Sequence, residues 1–392
     1  MVTNLNISIY LNRSLQKCFT KYNFKRCLTL SSTIRNKSCD IDTFMSSLPM
    51  IFNNICNHFK NELYGLDREA MEYNLLLGKK ICGLSVIRNY EVLEDSEKLT
   101  QRNLNLAYIL GWCAEFNHTA LLMENDILEN STRRSNVLCW HKLKGVNKST
   151  SDFAIINALI YHLLKQHFSN SPNYTKMIEL VRDITYKALN GQTLYTMMTV
   201  GKSNLTDFTM KKYQIITKYK TTYPMMILPF FLASYLTDKG EPDLFKELNN
   251  IFFKLGECYY IENDFNNYYG ENGNDQNGAI KEGKCTWLIV KALEKANFDQ
   301  KMILMKNYGK KHDDSVKRVK EIYETLNIFN DYKEQNEELR IEGFEHYHEL
   351  FIKICECINS MKKRPNPKDP SLQTEGAKKP FTDEGLKGND VV

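Results

Sequence analysis

Apolar residues recur at helical spacing through most of the chain, and this periodicity constrains the fold more than any other feature. Three stretches show it clearly: residues 76–93, 106–122 and 153–164. Side chains three or four residues apart lie on one face of an α-helix, where they can pack against a neighbouring helix. Proline is scarce between Ile41 and Arg364, and strand patterns are almost absent there. The sequence therefore predicts an all-α fold, a bundle of helices in one large domain.

Both ends of the chain differ from this helical region in composition. Residues 1–39 contain basic side chains and no Asp or Glu, with Ser, Thr and Asn between them. This composition is typical of a mitochondrial transit peptide, and a disordered leader on a cytoplasmic protein is the alternative. Residues 365–392 contain four prolines and three glycines, which predicts a solvated, disordered tail. The domain is therefore expected to occupy residues 40–364.

Composition excludes several classes of protein. The 42% of apolar and 25% of charged residues are ordinary values for a globular chain. No apolar stretch approaches the roughly 20 residues that a membrane-spanning helix needs. The net charge is only +5 and the basic residues are spread along the chain, unlike the concentrated basic surface of nucleic-acid-binding proteins. The 11 cysteines follow no disulfide or zinc spacing, so reduced thiols in an intracellular compartment are expected.

Two of the apolar helical stretches end in clusters of acidic and amide residues. The first cluster occupies residues 125–129 and the second residues 263–271. Residues four apart lie on one face of a helix, and Mg²⁺ prefers such hard oxygen ligands. A single cluster would more often be a solvated helix end, but the pair favours a magnesium site between two facing helices. The candidate metal ligands are Asn125, Asp126, Glu129, Asn263, Asp264, Asn267 and Glu271.

Further motifs follow one another along the chain. They are Gly111-Trp112-Cys113-Ala114-Glu115, Arg133-Arg134 with Cys139-Trp140, Gly191-Gln192-Thr193-Leu194, Lys218-Tyr219-Lys220-Thr221, and Lys284-Cys285-Thr286-Trp287-Leu288. With the two polar clusters, this series resembles the farnesyl diphosphate synthases and their relatives over roughly residues 73–287. The resemblance implies a helical bundle around a deep apolar cavity, with Mg²⁺ at the mouth of the cavity and a prenyl diphosphate as substrate. It also implies a homodimer.

The resemblance assigns the residues that would bind diphosphate. It implies that Arg133, Lys220 and Lys284 neutralise the leaving diphosphate and act as catalytic residues; we call their part of the site the allylic side. Arg can contact two phosphate oxygens at once, whereas Lys acts as a point charge. The further substrate-binding candidates are Lys79, His118, Arg134, Gln192, Tyr195, Thr221 and Tyr260.

Several positions depart from the pattern of the chain-elongating members. Those enzymes carry two DDxxD motifs, whereas Asn125 and Asn263 begin the motifs here. Their Gly-Gly-Lys-x-x-Arg-Gly segment helps to bind isopentenyl diphosphate, on what we call the co-substrate side. In this chain that segment keeps Lys79 but has Cys82 at the Arg position, and His118 replaces a Gln elsewhere on that side. Removing one charge-assisted hydrogen bond to phosphate costs roughly 1.5–3 kcal/mol, so the co-substrate side is expected to be weakened.

This asymmetry favours a terpene synthase, a lyase that ionises a prenyl diphosphate with Mg²⁺ and releases diphosphate and a terpene. Aromatic faces stabilise carbocations, and Tyr223 and Tyr259 are candidates beside the tyrosines named above. Ala120 and Leu121 are smaller than the aromatic residues that close the cavity in family members, which favours farnesyl diphosphate and hence a sesquiterpene.

Two alternatives remain open. One is a short-chain prenyltransferase, a geranyl or farnesyl diphosphate synthase, because Lys79 and Arg134 are retained on the co-substrate side. The other is a weakly active partner subunit, because few carboxylates remain in the two metal motifs.

Overall fold

A computed structural model of the protein describes residues 41–59, 68–199, 205–237, 242–269 and 277–341. Two compact units divide the chain, residues 1–345 and residues 346–392, and the second lies wholly outside the described residues. The predicted leader, residues 1–39, and the predicted tail, residues 365–392, also lie outside them. The boundaries of the predicted domain therefore stay predictions.

The all-α prediction is confirmed. The helices are α1 Ile41–Ser46, α2 Leu48–Phe59, α3 Arg68–Leu75, α4 Ile81–Leu93, α5 Gln101–Leu128, α6 Trp140–Lys144, α7 Val146–Phe168, α8 Tyr174–Thr199, α9 Met210–Ile216, α10 Leu228–Leu236, α11 Pro242–Tyr269, α12 Gly278–Lys281, α13 Trp287–Lys295, α14 Phe298–Asn307, α15 Asp313–Thr325 and α16 Ile328–Ile341. Short 3₁₀ turns occur at Ser96–Lys98 and Leu205–Asp207, and a π-helix spans Thr217–Ile227. Within the described residues, no helix is long and apolar enough to cross a membrane.

One short hairpin interrupts the helices. Its strands, β1 Arg133–Arg134 and β2 Val137–Leu138, pair antiparallel, with Arg133 opposite Leu138. Ser135 and Asn136 form the turn with positive φ angles of 49° and 69°. A two-residue turn with both central residues in the left-handed region matches the twist of a hairpin. The hairpin directly follows α5, so it returns the chain toward the end of that helix.

The long helix α5 is the centre of the bundle. It has 28 residues and is buried on every face over much of its length, because α4, α7, α8 and α10 pack around it. At its start the Thr100 side chain accepts a hydrogen bond from the Asn103 backbone N–H, which caps the helix. Trp112 stacks on Phe44 with ring centroids 4.3 Å apart. Full burial of one such side chain contributes about 1.5–3 kcal/mol, so the position of α5 is strongly determined.

A π-helix contains two of the predicted site residues, Lys220 and Thr221. It spans 11 residues, Thr217–Ile227, and contains Pro224, whose missing N–H removes one helical hydrogen bond. Helix α8 approaches it closely at Gly191, where an added Cβ would lie 2.7 Å from the Lys220 backbone nitrogen. Only glycine permits this approach. The π-helix is therefore held firmly against α8, and the direction of the Lys220 and Thr221 side chains is fixed with it.

Candidate active site

A cavity of about 390 Å³ opens between α5, α11, the π-helix and the N-terminal ends of α4 and α13. Most of the predicted site residues line it. Those that do are Lys79, His118, Asn125, Asp126, Glu129, Arg134, Tyr195, Lys220, Thr221, Tyr260, Asn263, Asp264, Asn267 and Lys284. The two polar clusters thus face one shared cavity from two helices, although they are far apart in sequence.

Three predicted site residues are placed differently. Gln192 is buried behind the cavity wall and donates from Nε2 to Glu129 Oε1 at 3.1 Å. Arg133 has an exposed side chain whose Nη1 donates to the Asn136 carbonyl at 2.9 Å, and it does not line the cavity. Glu271 lies outside the described residues. Their roles stay predictions.

The end of α5 is joined to the π-helix by an ion pair. Lys220 donates from Nζ to Glu129 Oε1 at 2.9 Å, and both side chains are largely buried. Burial would raise the pKa of Glu129, but Lys220, Lys284 and Gln192 together outweigh burial and lower it. Burial lowers the pKa of Lys220, and Glu129 opposes that shift. The pair is therefore charged, and its ammonium group faces the cavity.

Lys220 has a second partner in an aromatic ring. Its Nζ lies 3.8 Å from the centroid of the Tyr195 ring. A cation over a ring face is attracted by about 0.5–2 kcal/mol, depending on how much water is excluded. Tyr195 stands where the family resemblance leads one to expect an Asp, so an aromatic ring faces the Lys220 ammonium group at this point.

The hairpin is held to α5 by a second ion pair. Arg134 donates from Nε to Asp126 Oδ2 at 2.7 Å and from Nη2 to Asp126 Oδ1 at 2.6 Å. Burial would lower the pKa of Arg134, but Asp126 raises it overall. This bidentate geometry fixes the guanidinium plane as well as its position. One candidate metal ligand is therefore paired with one candidate cation of the co-substrate side.

In the second polar cluster, Asp264 ties three helices together. Its Oδ2 accepts from the Trp287 backbone N–H at 2.8 Å and from the Tyr213 hydroxyl at 2.9 Å. Burial raises the pKa of Asp264 to about 7, and these two hydrogen bonds oppose that rise. The contact fixes α11 against the start of α13, just after Lys284. Lys284 contacts Glu282 with an Nζ–Oε2 distance of 2.8 Å, and although burial lowers its pKa, Glu282 raises it overall.

The donor set at the cavity suits a hard cation. No group of three or more His, Cys, Asp and Glu side chains is positioned for a metal among the described residues. Amide oxygens complete the set, since α5 and α11 each present carboxylate and amide side chains to the cavity. Mg²⁺ takes such oxygen ligands and usually keeps several waters and substrate oxygens, so it needs few protein carboxylates. The residues present therefore fit Mg²⁺.

Two cavity residues escaped the sequence analysis. Lys80 lines the co-substrate side with only 3% of its surface exposed, and Glu115 lines the cavity beside it. Lys80 occupies a position that the family pattern leaves open, so the motif gave no reason to select it. The sequence identified Glu115 only as the last residue of the Gly111–Glu115 motif and gave it no role in the site. Their proximity could not be predicted, because 35 positions separate them and the turn before α4 has left-handed backbone at Gly78 and Lys80.

Comparison with known proteins identifies the family. The family model of polyprenyl synthetases matches residues 66–326. The chain belongs to the polyprenyl synthetase family. It is 30% identical to the farnesyl pyrophosphate synthase of Murgantia histrionica, over 82% of each chain. It is 33% identical to farnesyl pyrophosphate synthase 1 of Parthenium argentatum, over 78% of this chain and 90% of that one.

The fold of the family is also found among solved structures. A T. brucei farnesyl diphosphate synthase complexed with homorisedronate superposes with a TM-score of 0.75 at 21% identity. The match covers 83% of this chain and 99% of that one. The similarity at this low identity shows the isoprenoid synthase fold, and the family resemblance inferred from the motifs is confirmed.

The expectation of a terpene synthase, and with it of lyase chemistry, is wrong. The relatives that match over most of this polyprenyl synthetase are farnesyl pyrophosphate synthases, which favours the prenyltransferase alternative. The expectation failed because Cys82 and His118 were taken to mean that the co-substrate side could no longer bind a second diphosphate. In the structure Lys79, Lys80 and Arg134 line that side of the cavity, so positive charge is retained there.

Proposed function

We propose that the protein is a Mg²⁺-dependent short-chain prenyltransferase that joins isopentenyl diphosphate to an allylic diphosphate, with farnesyl diphosphate as the product. The observation that carries this proposal is the presence of cations on two sides of one cavity. Lys220 and Lys284 lie on the allylic side, and Lys79, Lys80 and Arg134 lie on the co-substrate side. A lyase that binds one diphosphate needs only one such set. A condensing enzyme must hold two diphosphates at once.

The allylic side promotes departure of the first diphosphate. Glu129 and the Tyr195 ring hold the Lys220 ammonium group toward the cavity. Lys284 is positioned by the Asp264 contacts that fix the start of α13. As the allylic carbon–oxygen bond breaks, the diphosphate takes the electron pair, and these fixed cations stabilise the charge that develops on it.

The apolar part of the cavity holds the hydrocarbon chains. Leu121, Leu122, Met123 and Met225 line it. The double bond of isopentenyl diphosphate then donates its electrons to the allylic cation, one carbon–carbon bond forms, and a proton is lost. The net products are a longer prenyl diphosphate, one diphosphate and one proton. Exclusion of water from this wall favours condensation over capture of the cation by water.

Oxygen donors of α5 and α11 are the proposed magnesium ligands. They are Asn125, Asp126, Glu129, Asn263, Asp264 and Asn267. Bound there, Mg²⁺ would supply Lewis-acid stabilisation of the diphosphate. The chain's own part is to present these oxygens from two helices, one of which, α11, is held against α9 and the start of α13 by the Asp264 hydrogen bonds.

Two further features remain proposals. A homodimer is implied by the family resemblance, and the molecular mass of the purified protein in solution tests it. Mitochondrial import is implied by residues 1–39, and a fluorescent fusion of that segment tests it. Cytosolic fluorescence would contradict the import proposal.

The experiment that tests the proposed function is a product assay. Purified protein is given Mg²⁺ and an allylic diphosphate, with and without isopentenyl diphosphate, and both volatile products and prenyl diphosphates are measured. We expect a longer prenyl diphosphate only when both substrates are present. A hydrocarbon or alcohol formed from farnesyl diphosphate alone would overturn the proposal.

Replacement of Glu129 tests the assigned site. Glu129→Gln removes one carboxylate from the metal set and leaves Lys220 without its charged partner. We expect turnover to fall by about a hundredfold or more, which corresponds to roughly 3 kcal/mol or more. Glu321→Gln, an exposed carboxylate on α15, is the matched control and should retain wild-type turnover. Full activity in Glu129→Gln would refute the metal assignment.

A further inference from the structure

Lys80 is an unusual lysine because it is almost fully buried beside the cavity. Only 3% of its surface is exposed, whereas buried lysines are rare unless a partner compensates the charge. Its backbone is left-handed, with φ 55° and ψ 33°, at the position that precedes the first turn of α4. A non-glycine residue in this region costs of order 1 kcal/mol. The burial and the left-handed backbone of Lys80 therefore both cost the folded state free energy.

The partners of Lys80 leave its charge available to a ligand. Its Nζ donates to the Leu77 carbonyl, and Glu115 is the nearby acid. However, Glu115 Oε1 accepts from the Gly83 backbone N–H at 2.9 Å, in the first turn of α4. That carboxylate is thus also bound to the positive end of a helix. Glu115 therefore compensates Lys80 only in part.

Two other groups lie near Lys80 on the cavity wall, and neither carries negative charge. His118 and Arg134 lie on the same part of the cavity wall, and Arg134 already pairs with Asp126. Burial lowers the pKa of His118 to about 4, with Arg134 and Lys80 adding to the effect, so the imidazole is neutral. An anion that enters here meets Lys79, Lys80 and Arg134 on the cavity wall, and Glu115 is the acid that acts on Lys80.

The position that normally supplies a cation here carries none. Cys82, at the Arg position of the family segment, is fully buried, and burial raises the pKa of its thiol, so it is neutral. Lys80 lies two residues earlier, at the N-terminal end of the same helix. Lys80 lines the cavity, whereas Cys82 does not.

We propose that Lys80 contacts the diphosphate of isopentenyl diphosphate and supplies the positive charge that is absent at Cys82. This inference rests on the proposed function, since it names the residue that binds the second substrate of that reaction. The ammonium group exchanges its contact with the Leu77 carbonyl for a phosphate oxygen, and no covalent step is involved. Lys80 is therefore a determinant of co-substrate affinity and not of allylic ionisation.

The experiment measures binding of isopentenyl diphosphate alone to the full chain by calorimetry, with Mg²⁺ present. Lys80→Gln keeps a polar group for Leu77 and Glu115 but removes the charge, and Lys80→Met keeps only the apolar stem. We expect the dissociation constant to rise about tenfold to a hundredfold in both, because neither side chain can make a charge-assisted hydrogen bond to phosphate. Lys165→Gln, an exposed lysine on α7, is the control and should bind like wild type.

Rescue separates binding from a structural role. Lys80→Arg should bind within about threefold of wild type, since it keeps the charge. Folding of each variant is checked by thermal unfolding. A folded Lys80→Gln that binds isopentenyl diphosphate within about twofold of wild type would overturn the proposal.

The outcome is distinct from that of the proposed function. If wild type binds isopentenyl diphosphate and Lys80→Gln does not, the assignment of Lys80 stands even when no condensation is observed. If condensation occurs and Lys80→Gln changes neither the dissociation constant nor the KM for isopentenyl diphosphate, the proposed function stands and Lys80 is only structural. In that second case Lys80→Gln would lower the unfolding temperature alone.

Discussion

The two sides of the cavity carry similar charge but are built on different backbone. On the allylic side Lys220 projects from the π-helix, which Gly191 allows to pack directly on α8. On the co-substrate side the cations come from turns: Lys80 is left-handed itself, and Arg134 directly precedes the left-handed residues of the hairpin. Lys220 is therefore fixed by helix packing, whereas Lys80 and Arg134 are fixed by loop conformation.

This difference explains why the two sides diverge from the family pattern to different degrees. A packed helix permits few changes, because moving Lys220 by one position would point its side chain into a neighbouring helix. Turns tolerate substitution more readily than the elements they connect. On the co-substrate side Lys80 lies in the turn before α4 and lines the cavity, whereas Cys82 lies within the helix and does not. Under our proposal, that side keeps its positive charge although the residue at the motif position is uncharged.

The strongest test of the comparison is to remove the helix-borne cation. Lys220→Met leaves the apolar stem in place but removes the ammonium group that faces Glu129 and the cavity. We expect kcat/KM for the allylic diphosphate to fall about a hundredfold to a thousandfold, because no fixed charge remains at this point near the leaving group. The KM for isopentenyl diphosphate should change much less. Steady-state kinetics with each substrate varied in turn measures both.

An exposed lysine outside the cavity provides the control for Lys220→Met. Lys211→Met removes an exposed lysine on α9, ahead of the π-helix, and should leave kcat/KM unchanged. An equal loss of affinity for both substrates in Lys220→Met would mean that the two sides are not separate.

The fold could be predicted from the sequence because the spacing of apolar residues within each segment is enough to indicate a helix. Helical spacing of apolar residues identified the bundle, and the two polar clusters identified the helices that face the cavity. The π-helix at Thr217–Ile227 could not be predicted, because its hydrogen-bond pattern depends on packing against Gly191 and Gly256 from other helices. Tertiary contacts, not propensity, determined that segment.

The site was predicted only as far as motif positions specify it. Lys220, Glu129 and Lys284 occupy motif positions and line the cavity. Arg133 and Arg134 are adjacent in sequence, which does not indicate which of them faces the cavity. Successive strand residues face opposite ways, so the hairpin exposes the Arg133 side chain and directs that of Arg134 to Asp126. Lys80 was missed because its direction depends on one left-handed φ angle.

A second test addresses the ion pair between Arg134 and Asp126, which holds the hairpin to α5. Arg134→Gln would leave Asp126, which is buried, without its bidentate partner. We expect the free energy of unfolding to fall by about 2 kcal/mol, because a buried carboxylate loses charge-assisted hydrogen bonds. The KM for isopentenyl diphosphate should rise about tenfold, less than the effect of Lys220→Met on the allylic substrate. Urea unfolding and steady-state kinetics give the two values.

Arg133→Gln is the matched control for stability in that test. The Arg133 side chain is exposed, so the free energy of unfolding should change by less than about 0.5 kcal/mol. If both variants were destabilised equally, the contact between Arg134 and Asp126 would contribute little to holding the hairpin against α5.

The smallest expected effect concerns His118 on the co-substrate side. Its pKa in the folded protein is about 4, lowered first by burial and then by Arg134 and Lys80. In the unfolded chain it is about 6.5, so between these values the unfolded state binds more protons. Stability therefore falls as the pH falls from about 6.5 toward 4, and by about pH 5 the loss is of order 1 kcal/mol after allowance for partial exposure.

His118→Gln removes this titration and should resist acid better than wild type. Urea unfolding is measured at about pH 7.5 and at about pH 5. As the pH falls between these values, the free energy of unfolding of the variant should rise relative to that of wild type by about 1 kcal/mol. His312→Gln, at an exposed histidine just before α15, is the control for a histidine substitution outside the cavity. A difference that stays constant across this range would mean that the imidazole can be protonated in the folded state. The co-substrate side would then gain a fourth cation, beside Lys79, Lys80 and Arg134, below about pH 6, and the affinity for isopentenyl diphosphate should rise with it.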